Sequence, residues 1–256
     1  ISKRKDTDFT VESYHRRGYP AVALQEYLMT IANTNFEAWR IGHPDAPLDE
    51  FEFSFSKVGS SPLFDTAKLI NISKNCISKM TAIDLYKNLT EWAEKYDAEF
   101  YKLLVNNKDY AILVLNIERG KKKPRKDFAN YGDVKRLNWY MFKDLYDSKE
   151  KIYEWQKITD ISEIKMILND YINNYYEVED DKDIWFNKMK EVAEKYGYAG
   201  SMKEYKENPQ KYKGNITDIA TVIRVGVTTS SMTPDLYEIL KILGKEELKV
   251  RINNIK

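Results

Sequence analysis

Apolar side chains recur at intervals of three and four along most of this chain, the period of a helix with one buried face. Residues 11–31 carry that pattern, interrupted at Gly18-Tyr19-Pro20, and within them Leu24, Tyr27, Leu28 and Ile31 fall at i, i+3, i+4 and i+7. The spacing lapses over 41–48, where His43, Pro44 and Pro47 mark a loop. Phe51, Phe53 and Phe55 then alternate with polar neighbours, which predicts a short strand ended by Gly59-Ser60-Ser61-Pro62. From Asp65 onward the helical period returns, punctuated at residues 120–124, around Gly197 and Gly200, at Pro209 and before Pro234. The expected fold is mainly α, with a small α+β module near the start of the chain.

One stretch near the other end carries candidate chemistry. Thr233 suits an N-cap and Pro234 the first helical position, where a missing N–H costs nothing. Leu236, Ile239, Leu240 and Leu243 come next as one apolar face, and Gly244 reads as the C-terminal stop. Such a helix start points unpaired N–H groups outward, toward a phosphate or a base acceptor. Arg224, just upstream, offers a planar fork that can stack on a base or grip its edge. An ordinary capped surface helix would show the same pattern.

The charge total is uninformative, because 41 basic and 40 acidic residues nearly cancel. Its distribution says more. Residues 119–136 are strongly basic and residues 147–183 acidic, which favours one face for a polyanion. The loop from Arg119 to Lys126, with Arg125 inside it, could lie along phosphates or simply be solvated. A single cysteine, Cys76, excludes an intramolecular disulfide framework and fits a reducing cytoplasm. Neither His15 nor His43 shares a metal-ligand spacing with Cys76, and the acidic run 177–183 lacks the glycine of a calcium loop, so no metal site is expected. The run reads instead as a turn that opens the next helix, near Trp185.

Three stretches, in order, resemble segments of the bacterial glutamyl-tRNA synthetases, class I aminoacyl-tRNA synthetases. Ser2-Lys3-Arg4-Lys5, with Tyr14, Gly18-Tyr19-Pro20, Leu24 and Tyr27-Leu28 after it, is similar to the family's lysine signature loop and the helix beyond. Phe64-Asp65, Lys68-Leu69 and Asn71 resemble its stem-contact segment, and residues 224–247 its anticodon-reading end. The chain departs from the family's pattern at Lys5-Asp6, over residues 39–62, and at Ile72-Ser73-Lys74.

The resemblance implies a stem-contact module over 1–78 and two helical anticodon-binding domains, 79–160 and 161–256. It implies that the chain opens inside the signature loop, as a C-terminal fragment. The family's reaction joins glutamate to tRNA with ATP, and Mg in the full-length enzyme. Lys3 would contact the ATP phosphates; Arg224, Thr233, Pro234 and Leu236 would contact the anticodon, with Arg119 and Arg125 on the tRNA backbone. The nucleotide-binding catalytic domain has no counterpart in these residues, so no adenylate is expected from this chain alone. The partner would be tRNA(Glu), or also tRNA(Gln), in the cytoplasm. The alternative is a non-catalytic helical RNA-binding or adaptor domain.

Overall fold

The computed structural model describes residues 10–58 and 64–255. Lys3, with its neighbouring cations, and the strand-ending residues 59–62 lie outside them. The architecture is α-helical, and the chain divides into two compact units, the first ending at Asn138 and the second beginning at Trp139. That boundary falls inside the second of the three segments expected from sequence.

In the first unit, α1 (Val11–Arg16) ends at the expected Gly18 turn and α2 (Ala21–Ala32) comes directly after Pro20. A short α3 (Phe36–Gly42) precedes the loop at His43. α2 packs on α4 (Thr66–Lys79), burying Leu24, Tyr27 and Leu69 with Tyr14 and Tyr19. The Tyr27 hydroxyl, at 2.6 Å, accepts the N–H of Asp65. Asp65 in turn caps α4 by accepting from the Lys68 N–H at 3.1 Å, while the Lys68 ammonium pairs with Glu37 at 2.7 Å. Asp65 and Lys68 are therefore joined through a helix cap, and the Lys68 ammonium makes a separate ion pair.

The strand expected at Phe51–Phe55 does not form. A lone alternating run has no stability without a partner strand. Residues 51–54 are irregular instead, flanked by 3-10 turns at Leu48–Glu50 and Phe55–Lys57 and followed by one antiparallel bridge from Val58 to Asn33. Phe51 packs edge-on against Phe36, ring centroids 5.0 Å apart, and Phe55 is left 88% exposed. The alternation came from local aromatic packing.

The rest of this unit is α5 (Ala82–Tyr96), α6 (Ala98–Asn106), α7 (Lys108–Asn116) and α8 (Gly132–Asn138). Gly18 is where α1, α5 and the turn before α8 converge. Its carbonyl accepts from the Tyr131 N–H at 2.9 Å, and its φ of +86° is one that side chains resist. A Cβ there would stand 2.9 Å from the Tyr131 nitrogen and 3.2 Å from the Trp92 ring.

The second unit contains α9 (Lys143–Ser148), α10 (Ile161–Asp170) running into a π-helical turn (Tyr171–Tyr175), α11 (Lys182–Lys195), α12 (Met202–Glu207), α13 (Ile216–Thr228) and α14 (Leu236–Asn253). Asp181, in the acidic run, caps α11, as a helix-opening turn should. α13 is buried on most of its surface, against α10, α11 and α14. Its start is fixed by a capping box in which Asn215 and Asp218 satisfy each other's end of the first turn.

Gly244 does interrupt α14, at φ +74°, but a second helical stretch continues beyond it. That stretch carries Arg251, which is 1% exposed. Its guanidinium donates to the Val227 carbonyl at 2.7 Å and to Glu247 at 2.8 Å, and lies 3.8 Å from the centre of the Tyr146 ring.

Two substitutions test these restraints by denaturant unfolding. Gly18→Ala should cost more than about 1 kcal/mol, since neither the φ nor the space suits a side chain. Arg251→Ala should cost about 3 kcal/mol or more, because it strands a buried carbonyl and part of the Glu247 charge.

Candidate functional site

The stretch singled out at the C-terminal end is a loop, residues 229–235, between two helices of the second unit. α13 ends on Thr229, a non-glycine residue at φ +69° whose N–H closes back on the Val225 carbonyl at 2.7 Å. The left-handed turn throws the next residues away from the α13 axis. Met232, at the tip, is 84% exposed, second only to Phe55 among the large hydrophobic side chains of the described residues.

The loop is held from its inner side by Arg224. This residue sits in the last turns of α13, and its Nη1 donates to the Thr233 hydroxyl and, at 2.8 Å, to the Pro234 carbonyl. Thr233 is therefore the acceptor for Arg224 and not the cap of α14. That role belongs to Asp235, whose carboxylate accepts from the Glu238 N–H at 3.2 Å and pairs with Lys182. The helix start lies two residues later than the sequence suggested, because the stronger acceptor takes the cap once Thr233 is engaged. Asp235 and Glu238 also place negative charge at that helix end, which disfavours the phosphate contact its N–H groups alone suggested.

From outside, Glu154 reaches the same loop. Its N–H donates to the Thr229 carbonyl at 3.0 Å. Its carboxylate accepts from the Ser231 N–H at 2.8 Å, the Ser231 hydroxyl at 3.1 Å and the Ser230 hydroxyl at 3.2 Å. The hydrogen bond from the Ser231 backbone, above all, holds the Glu154 carboxyl below its ordinary pKa. Exposure alternates along 151–156: Tyr153 and Trp155 stack on each other at 5.2 Å and pack on the core, while Ile152 and Glu154 face out. Nothing in the sequence marked Glu154, since the bonds it makes span more than seventy residues.

The structure thus brings Arg224, Thr233 and Pro234 together as one unit. Leu236 is not on its surface: it is 4% exposed and packs into the core beneath. Met232, whose only sequence signal was an apolar residue between Ser231 and Thr233, occupies the exposed position instead.

The basic loop lies in the first unit and divides by function. Arg119 donates to the carbonyls of Ile77 at 2.7 Å, Met80 at 3.1 Å and Leu115 at 2.8 Å, joining the ends of α4 and α7, and burial pushes its pKa down. Arg125 pairs with Asp127 at 2.6 Å and with Glu118 at 3.4 Å, and the Asp127 bond pushes its pKa up. Lys121, Lys122, Lys123 and Lys126 are exposed along this loop, as is the paired Arg125. Among the described residues no group of three or more His, Cys, Asp and Glu could hold a metal ion, and no helix is long and apolar enough to cross a membrane.

The anticodon binding domain family matches residues 123–256. Over all 256 residues the chain is 40% identical to the glutamate–tRNA ligase of Acetivibrio thermocellus, covering 46% of that protein. It is 39% identical to the glutamate–tRNA ligase of Clostridium perfringens strain 13 over 98% of this chain, and 38% identical to that of Clostridium beijerinckii over 99%, again with 46% of each relative covered. The chain thus spans a little under half the length of these relatives.

Arg224→Ala should release the inner side of the loop. Amide hydrogen exchange over 231–235 should quicken by tenfold or more, as expected for losing hydrogen bonds from a charged donor worth about 1.5 kcal/mol or more. Helices α10 and α11 should keep their protection.

Proposed function

The chain belongs to the anticodon binding domain family, and on that premise we propose that it is the tRNA-holding part of a glutamate–tRNA ligase. In the proposed reaction glutamate attacks the α-phosphate of ATP to give glutamyl-adenylate and pyrophosphate. The glutamyl group then passes to the 3′ end of tRNA(Glu), with release of AMP. Lys3 would face the ATP phosphates, beside the Mg ion that ATP brings to such a reaction. The remainder of this chain would supply recognition.

The observation that carries the reading is the loop 229–235: a hydrogen-bonded, outward-facing turn within the matched region, with one apolar side chain at the tip. Single-stranded bases are read by such surfaces, through hydrogen bonds to their edges and contact with their faces. Pro234 would offer its ring as an apolar floor for the anticodon bases, and Thr233 would hold the loop in place there, its hydroxyl and the Pro234 carbonyl being engaged by Arg224. Arg224 would act with them, by tying the loop that carries them, and Leu236 would support the loop from beneath. The tRNA backbone would meet the exposed lysines of the 119–126 loop, with Arg119 and Arg125 shaping that loop through the carbonyl and carboxylate bonds they make. Whether tRNA(Gln) is also held would depend on how the first anticodon base is met.

The test is binding of the 256-residue chain to tRNA(Glu) and to an anticodon-substituted copy at two salt concentrations. The expected result is a preference of about tenfold or more for the native anticodon, about 1.4 kcal/mol, that persists when salt is raised. Equal affinity for both, erased by salt, would overturn the anticodon-reading role.

A further inference from the structure

We propose that Glu154 is a positioning residue for anticodon recognition, fixing the 229–234 loop from the side opposite Arg224; the proposal rests on the anticodon-reading function above. Besides the local bonds of the Thr228 hydroxyl to Ser230 and of the Ser230 hydroxyl to Met232, the loop has two tethers from more distant side chains. Arg224 binds its second half, at Thr233 and Pro234, and Glu154 binds its first half, at Thr229, Ser230 and Ser231. Met232 lies between the two tethers, so its direction is set by both. Without Glu154, Ser231 and Met232 would be held only from Arg224 on one side and from the local Thr228–Ser230 bonds beside the left-handed Thr229 on the other.

The chemistry of the tether explains why a carboxylate stands there. Three donors converge on one oxygen, Oε2: the Ser231 N–H, the Ser231 hydroxyl and the Ser230 hydroxyl. An ionised carboxylate accepts several such bonds at once and strengthens each. The support is anchored in turn, because Tyr153 and Trp155 on either side of Glu154 are packed on the core. A carboxylate on a surface that meets RNA carries an electrostatic cost toward every phosphate nearby. If Glu154 had no positional role, removing it would strengthen RNA binding. If it positions the loop, removing it weakens recognition of the native anticodon in spite of that relief.

The experiment measures affinity of the wild-type chain, Glu154→Ala and Glu154→Gln for tRNA(Glu) and for its anticodon-substituted copy, with Ser231 amide exchange as a second readout. The expected Glu154→Ala result is loss of most of the anticodon preference, about tenfold, with an unchanged unfolding midpoint and faster Ser231 exchange. Glu154→Gln keeps an acceptor oxygen for the Ser231 N–H and should retain the larger part of the preference. An alanine variant that discriminates as well as wild type overturns the proposal. So does one that binds both RNAs more tightly in the same ratio. A wild-type chain without preference between the two RNAs would instead remove the anticodon-reading function on which the proposal stands.

Discussion

A buried guanidinium organises the second unit. Arg251 cannot lose its charge, so burying it is tolerable only with its donors occupied and its face covered. The Val227 carbonyl, the Glu247 carboxylate and the Tyr146 ring do this, and each belongs to a different stretch of helix. The bond to Val227 matters most for the exposed loop, because it satisfies one of the last α13 carbonyls, which helix geometry leaves without a partner. With that end secured, Thr229 can take its left-handed turn and send the loop outward. Arg224, also in the last turns of α13, then reaches the loop as it returns toward α14.

The two units use arginine in one way. Arg119 closes the end of α4 through the Ile77 and Met80 carbonyls, much as Arg251 closes the end of α13. Arg224 ties a loop to a helix. A long, always-charged fork is the side chain best able to join chain ends that lack partners of their own. Counting arginines as candidate RNA contacts therefore overstates how many are available. Most exposed cations of the basic loop are lysines, which suits them to phosphates, where a mobile point charge suffices, while the exposed Arg125 is paired with Asp127.

How much was legible in the sequence depends on which forces are local. The helices from Asp65 onward were readable because a 3.6-residue period records burial directly, and the turn at Gly18 because its neighbours include a proline. Gly244 was marked as a break because it directly follows the last residue of an apolar face, although the helix resumes beyond it. Phe51–Phe55 misled, because alternation reports two-sidedness and says nothing about whether a partner strand exists. At the loop, Arg224, Thr233 and Pro234 do lie together, but their relations were not legible. Sequence could not show that Thr233 is occupied by Arg224, which hands the cap to Asp235. Leu236 was a member of both the motif and the apolar face, and its burial shows that the face took precedence. Glu154 was invisible, since its bonds cross from one part of the chain to another.

The exposure of Met232 has a chemical side. Thioethers are oxidised to sulfoxides in proportion to their access, and of the seven methionines Met141 and Met189 are sealed in the interior while Met232 stands furthest into solvent. Mild peroxide would convert it from an apolar, pliable side chain to a polar one while leaving the helical core intact. The preparation would then keep its fold, its circular dichroism and its melting behaviour, yet differ at the tip of the loop. Ageing in storage would first show as a mass gain of one oxygen, before any sign of unfolding.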